Sequence, residues 1–353
     1  MKNEIFNLID RLEKDHSLTA SEYRKLIDNC DSELMLYSAE KARRACQKHY
    51  GNEIYIRGLI EISNYCKNDC YYCGIRKSNS NCSRYRLTKD EIIGCCKEGY
   101  DLGFRTFVLQ GGEDGHYTDE VMCRIIREIK ENHPDCAVTL SLGERSYESY
   151  KALYEAGADR YLLRHETASR EHYEALHPKS LSFEKRMECL RNLKKIGYQV
   201  GCGFMVGSPW QTSEHLAKDL RFIEEFSPHM CGIGPFIRHE DTPFKDRQNG
   251  SVELTVFLLS LIRLIKPTIL LPATTALGTL SSDGRERGIL AGANVVMPNL
   301  SPLSVREKYM LYENKIATGQ ESAQCVSDLK ERMKSIGYEV VTSRGDAKIN
   351  YEL

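Results

Sequence analysis

Short apolar runs recur along this chain at intervals set by longer amphipathic stretches. From about residue 50 they read IYIRGLIEI (54–62), RTFVLQ (105–110), AVTLSL (137–142), RYLLR (160–164), YQVGCGFMV (198–206), MCGIGPF (230–236), TILLPA (268–273) and ANVVMP (293–298). Each run has the length of a strand, and helical stretches lie between consecutive runs. Thr88 with Glu91 has the spacing of a capping box. AGAD at 156–159 and AGAN at 291–294 place glycine where a helix should stop and a strand begin. Eight strands alternating with helices predict an α/β fold, the (β/α)8 TIM barrel. A doubly wound open sheet is the competing arrangement. Residues 1–50 precede the rhythm and read as polar helices, with a second capping box at Thr19 and Glu22. Beyond Leu300 come two more helices and a short strand, Tyr338–Val341. The expected organisation is an N-terminal helical extension (1–50), a barrel (51–300) and a C-terminal α/β extension (301–353), with QNGS (248–251) as a loop.

Composition narrows the function classes. The 353 residues are 41% hydrophobic and 28% charged, which suits a packed core. Lys and Arg number 49 against 50 Asp and Glu, so no global basic field recruits nucleic acid or anionic lipid. No apolar run approaches a membrane span, and the charged start MKNEIFNLIDRLEKDHS lacks a signal peptide's apolar core. Fourteen cysteines, mostly single and inside apolar segments, point to buried thiols and one metal site in a reducing compartment. The expectation is a cytoplasmic, anaerobic protein.

The metal candidate is Cys66-Lys-Asn-Asp-Cys70-Tyr-Tyr-Cys73, directly after the first run. A barrel displays its chemistry on the loops that follow its strands. Three thiolates on a short loop can hold three irons of a cubane and leave the fourth open. Structural zinc would need a fourth ligand, for which Cys82 is the sole nearby candidate.

Strand alternation sorts the other polar groups. Arg160, Arg164 and Glu166 share one face, and charge burial beneath the helices is costly, so that face should look into the barrel. Two guanidiniums there would hold an anionic ligand, with Glu166 at the mouth; a purely structural ion-pair network is the alternative. Gly201, Gly203 and Met205 share a face of the fifth run and leave room for a ligand, unless the glycines serve close packing. Ser141, with Thr139, and the pair Thr274 and Thr275 offer polar groups to a small molecule. His165 should point outward, and Trp210 reads as a packing residue of its loop.

The cysteine spacing, with Tyr72 before the last cysteine, resembles the radical S-adenosylmethionine (SAM) superfamily. That resemblance implies one 4Fe-4S cluster on Cys66, Cys70 and Cys73, SAM chelated to its open iron, and reductive cleavage of SAM to a 5′-deoxyadenosyl radical. Gly111-Gly112-Glu113 is similar to the superfamily's motif at the SAM amino group, where a tight glycine turn would expose backbone groups. More specific are LSLGE (140–144), DRYLLRHETA (159–168), FEKR (183–186), MVGSPWQT (205–212), GIGPFIRHEDTP (232–243), PATTALGT (272–279), GANVVMPN (292–299) and REKYMLY (306–312). Together they resemble the HydE family of FeFe-hydrogenase maturases. By that resemblance Tyr72, Gln110, Ser141, Glu166, Arg186, Met205 and Ile233 contact SAM. Arg160, Arg164, Thr274, Thr275, Tyr309 and Tyr312 line the cavity of a small cysteine-bound organometallic or sulfur-containing substrate. It also implies transient contacts with other hydrogenase maturases and an electron donor. The accessory-cluster cysteines of many relatives are missing: KIATGQESAQCVSD holds only Cys325. Methylornithine synthase and biotin synthase are the alternative branches, and a non-catalytic iron–sulfur carrier the alternative class. Biotin synthase fits poorly, because its barrel-wall cysteine falls on Gly201 and its arginine in Pro-Ala-Thr-Thr.

Overall fold

A computed structural model describes residues 2–316 and 326–348. Six parallel strands form its principal sheet, in the order Gly58–Ser63, Thr106–Gly111, Ala137–Ser141, Arg160–Leu162, Gln199–Cys202 and Met230–Cys231. Bridges from Met230 to Leu270 and from Pro272 to Val295 continue the series. Val295–Val296 then pairs with Glu53–Ile56, which runs straight into the first sheet strand. The ring is thereby closed and wholly parallel, and the open-sheet alternative is excluded. All eight apolar runs lie on it. The first run breaks at Arg57 into two strands, because there the chain changes partners from Val296 to Phe107.

Helices cover the outside, and their ends follow the sequence signals. Both capping boxes form. Gly157 (φ 114°) and Gly292 (φ 95°) take the left-handed conformation that ends each helix at AGAD and AGAN. The main core lies between strands and helices, where Phe107, Leu109, Val138, Leu140, Tyr161 and Val200 meet Ile126, Leu153, Leu190 and Leu193. No described helix is long and apolar enough to cross a membrane.

The segment after Leu300 differs from a simple appendage. Strand Glu339–Val341 pairs with Glu53–Tyr55, and residues 343–348 then turn across the N-terminal end of the barrel. Arg160 opens its strand and lies at that closed end. Its Nη2 donates to Asp346 Oδ1 (2.5 Å) and to the Arg344 carbonyl (2.8 Å), and its Nη1 to Thr106 Oγ1 (3.0 Å). Arg57 reaches the Gly345 carbonyl from the same level. Arg160 thus points into the barrel as expected, but at the opposite end from the cysteines. The expected cavity role is corrected: its charge is spent on an internal ion pair, since an inward guanidinium at a closed end needs a fixed partner.

Candidate functional site

The three-cysteine loop leaves the C-terminal end of strand Gly58–Ser63. Glu113 follows the neighbouring strand and donates its backbone N–H to Cys66 Sγ at 3.4 Å, while its carbonyl accepts from Lys67 N. A side chain on Gly112 would meet the Tyr65 carbonyl at 2.2 Å and Cys66 Cβ at 2.8 Å. Gly111 and Gly112 therefore serve close contact between two loops. The Gly112 N–H is bound to the Ser63 carbonyl, so that donor is taken.

Burial pushes all three thiols up: Cys66 above its usual range, Cys70 to about 12 and Cys73 well above. Cys70 and Cys66 also raise Cys73 through their charges, so the three sulfurs share one neighbourhood. Among the described residues no three Cys, His, Asp or Glu side chains converge as a single ion requires. A cubane asks for something different, because each thiolate meets its own iron. Thiols that resist ionisation when empty, with a backbone N–H aimed at one sulfur, fit a cluster whose irons supply the missing positive charge.

Around the loop the barrel rim supplies a second group. Arg186, on helix Phe183–Ile196, is 7% exposed and donates from Nε to Glu144 Oε1 (2.6 Å) and from Nη1 to the Arg164 carbonyl (2.7 Å). Its charge and that of Glu166 both act on Cys70. Glu166 has φ 66°, unusual for a side-chain-bearing residue, and is held there between Gly203 and Phe204 on the next strand. Arg164 Nη2 lies 3.2 Å from Glu166 Oε2, yet neither atom has a hydrogen-bond partner, nor does Arg164 Nε. Thr274 Oγ1 is buried and equally unpartnered, beside the space where Gly234 lacks a side chain. Native proteins rarely leave such atoms unmatched, and a polar ligand would match them.

The remaining expected residues fall on the same rim or in its walls. Gln110 and Ser141 are register partners on adjoining strands. Gln110 Nε2 contacts Tyr309 Oη at 3.5 Å, and Tyr309 is buried. Thr275 Oγ1 is taken by Arg285 at 3.4 Å. Tyr312 is half-buried beyond Tyr309. Met205 packs with Leu176, Phe236 and Phe244 against Tyr71 and Tyr72, and Ile233 is sealed in the main core. Gly203 is corrected: its added Cβ would lie 2.0 Å from the Gly232 carbonyl, so it permits strand approach and leaves no room for a ligand. Gly201 is likewise filled, by Leu162. His165 faces outward as expected, fully buried against Asp219 at 3.2 Å. Trp210 is 54% exposed, and its ring packs on its loop neighbours Phe244 and Arg247 as expected. Cys325 lies outside the described residues.

Four participants escape the sequence. His177 Nδ1 donates to the Tyr173 carbonyl (2.8 Å), which leaves Nε2 to accept from Tyr72 Oη (3.1 Å). Burial holds this imidazole down to about 3, hence neutral and able to accept. Glu144 ends the LSLGE segment and became visible only through Arg186. Glu61 and Lys315 form a buried pair inside the barrel, with Asn299 Nδ2 donating to Glu61 (3.0 Å) and the Tyr309 carbonyl accepting from Lys315 (2.8 Å). Their partners are some 250 positions apart in sequence, so no local signal links them.

Comparison with known proteins agrees with this arrangement. Residues 60–223 match the family model of the radical SAM superfamily. The chain is 44% identical to the [FeFe] hydrogenase maturase subunit HydE of Thermotoga maritima over 306 residues, 87% of this chain and 86% of that one. It is 30% identical to the 3-methylornithine synthase of Methanosarcina barkeri, over 95% of this chain and 94% of that one. Among solved structures, methylornithine synthase PylB superposes with a TM-score of 0.79 at 26% identity, covering 95% of this chain and 97% of that one. The maturase HydG gives 0.80 at 20% identity over 96% of this chain and 76% of that one, a likeness of fold alone. The chain is therefore a radical SAM enzyme whose cofactors are a 4Fe-4S cluster and SAM, and it belongs to the HydE family of hydrogenase maturases.

Proposed function

We propose that Cys66, Cys70 and Cys73 hold the cluster and that the rim beside them binds SAM and then a small anionic substrate of [FeFe] hydrogenase assembly. The observation that supports this most is the Arg164–Glu166 ion pair, whose buried atoms make no hydrogen bond, together with the buried, unpartnered Thr274 Oγ1. When bound, the cluster supplies the electron that splits a C–S bond of SAM into a carbon radical. The chain's own residues bind and orient. Glu166, buried beside Arg164, accepts from ribose hydroxyls. Arg186, anchored on Glu144, presents its remaining N–H donors to the SAM carboxylate. Tyr72, fixed through His177, and Met205 form the wall behind Cys70. Gln110 and Ser141 close the floor. Deeper in, Arg164, Thr274 and Tyr309 face the substrate, with Thr275 and Tyr312 at its border, while the Glu61–Lys315 pair holds Tyr309 in place. The working complement is a small-molecule substrate, another maturase to receive the product, and an electron donor. In the cell we place it in the reducing cytoplasm.

The test is anaerobic reconstitution. Wild-type protein should hold about four irons per chain and show a reduced-cluster EPR signal that SAM perturbs. Cys70→Ala should lose both. Arg164→Leu should keep SAM cleavage and lose activation of apo-hydrogenase. Cluster formation in Cys70→Ala, or full activation by Arg164→Leu, would refute the respective assignment.

A further inference from the structure

Two tyrosines meet His177, and their hydroxyls are used differently. Tyr72 Oη donates to His177 Nε2 at 3.1 Å. Tyr173 stacks on the same imidazole, with ring centroids 3.9 Å and planes 22° apart, and is fully buried. Among the described residues its Oη has no hydrogen-bond partner. The charges that act on that oxygen are those of Arg186, Glu144, Cys70 and Glu166, which places it in the rim beside the three-cysteine loop. Helix Arg170–Leu176 carries the residue and is fastened to that loop, because the Leu176 carbonyl accepts from Tyr71 N at 3.1 Å. The His177 stack and Phe183, edge-on at 5.8 Å, hold the ring in this place. A buried hydroxyl without a partner is costly, and native proteins keep few of them. Burial also holds the phenol well above its usual ionisation range, so it keeps its proton and can donate.

We infer that Tyr173 is a further binding residue for SAM, donating from Oη to the carboxylate that Arg186 holds. It rests on the assignment of that carboxylate to Arg186. Arg186 spends Nε on Glu144 and one N–H of Nη1 on the Arg164 carbonyl. Its remaining N–H groups are the cationic half of an anion site. A carboxylate has lone pairs for several donors, so the phenol supplies a neutral second donor without competing for the guanidinium. The same contact matches the orphaned hydroxyl. The acids already present do not serve it: Glu144 is engaged by Arg186, Glu166 lies against Arg164, and neither is bonded to Oη.

The test is Tyr173→Phe, which removes the oxygen and keeps the ring. In the apo-protein an unpartnered hydroxyl contributes nothing, so thermal unfolding should occur at the wild-type temperature or above. In reconstituted holoenzyme, SAM binding by calorimetry should weaken about ten- to a hundredfold, the loss of one hydrogen bond to a charged group. KM for SAM should rise alike while kcat at saturating SAM holds, since the contact is complete on binding. Decarboxylated SAM, as a second probe, should bind wild type and variant equally, because the partner of the hydroxyl is then missing from both. A lower melting temperature of the apo variant would show that the hydroxyl is partnered within the protein, and would overturn the inference. So would unchanged SAM affinity. An equal loss with decarboxylated SAM would also overturn it, by giving the hydroxyl another acceptor. Absence of SAM binding by the wild-type holoenzyme would instead overturn the SAM site itself, and the assignment of Tyr173 with it.

Discussion

Asp346→Ala should destabilise the protein more than Arg160→Leu, although Asp346 is the more exposed partner. Arg160 is 3% exposed and Asp346 37%. Removing the acid strands a buried guanidinium, and breaking a buried pair in that way costs about 3–5 kcal/mol. Two features lower the figure. Solvent already screens the exposed carboxylate, and Arg160 keeps Thr106 Oγ1 at 3.0 Å and the Arg344 carbonyl at 2.8 Å. About 2–3 kcal/mol is expected. Arg160→Leu leaves Asp346 with Arg344 Nε at 2.9 Å and with water. Its loss is mainly hydrogen bonds, about 1–2 kcal/mol. The double variant should fall short of the sum by about 1 kcal/mol, because the two share one interaction. Urea unfolding followed by circular dichroism at pH 7 measures all three, with unchanged slope. Strict additivity, or a loss below about 0.5 kcal/mol for Asp346→Ala, would refute a structural ion pair.

The same pair has a pH signature. Although burial opposes its ionisation, Arg344 and Arg160 hold the Asp346 carboxyl well below the ordinary carboxylate range. A depressed folded value contributes stability above the unfolded value of 3.8, and that stability is lost as pH falls below it, so Asp346→Ala should flatten the acid limb of stability against pH. Glu166→Gln should weaken SAM binding about ten- to a hundredfold by calorimetry, the loss of one charge-assisted hydrogen bond; unchanged affinity would remove Glu166 from the SAM site. Gly112→Ala drives a methyl into the Tyr65 carbonyl; iron content after reconstitution should drop, and normal loading would show that the two loops can part. Lys315→Met strands Glu61 in the barrel and should cost about 3–5 kcal/mol in unfolding, with Glu61→Gln/Lys315→Met recovering much of it.

What was readable in advance follows from range. Capping boxes, helix-stop glycines and strand runs act over a few residues, and each formed where the spacing placed it. The cysteine loop was equally local. Faces along one strand were also sorted correctly: Arg160, Arg164 and Glu166 do point inward, and His165 outward. Depth along the barrel axis was not readable, because alternation reports the side of a strand and not which end is closed. That is why the closed-end position of Arg160 was missed. Glycine was ambiguous for a related reason. An absent side chain at 203 or 112 makes room, but only the facing backbone of Gly232 or Tyr65 shows that another loop or strand uses the room. Glu61 with Lys315, and Tyr72 with His177, are pairings between distant segments, and nothing in either segment names the other.

Synthesis order gives the C-terminal strand a further meaning. Glu53–Tyr55 is among the first barrel segments to leave the ribosome, yet its edge is filled by Glu339–Val341. At ~5–20 residues per second the edge stays open for roughly 15–60 s after the first strand emerges. Through that interval the cysteine loop, a few residues downstream, hangs from an unfinished wall with the N-terminal mouth unplugged. Iron delivered then would meet thiols that are still hydrated and easily ionised, whereas iron delivered later must enter from the rim alone.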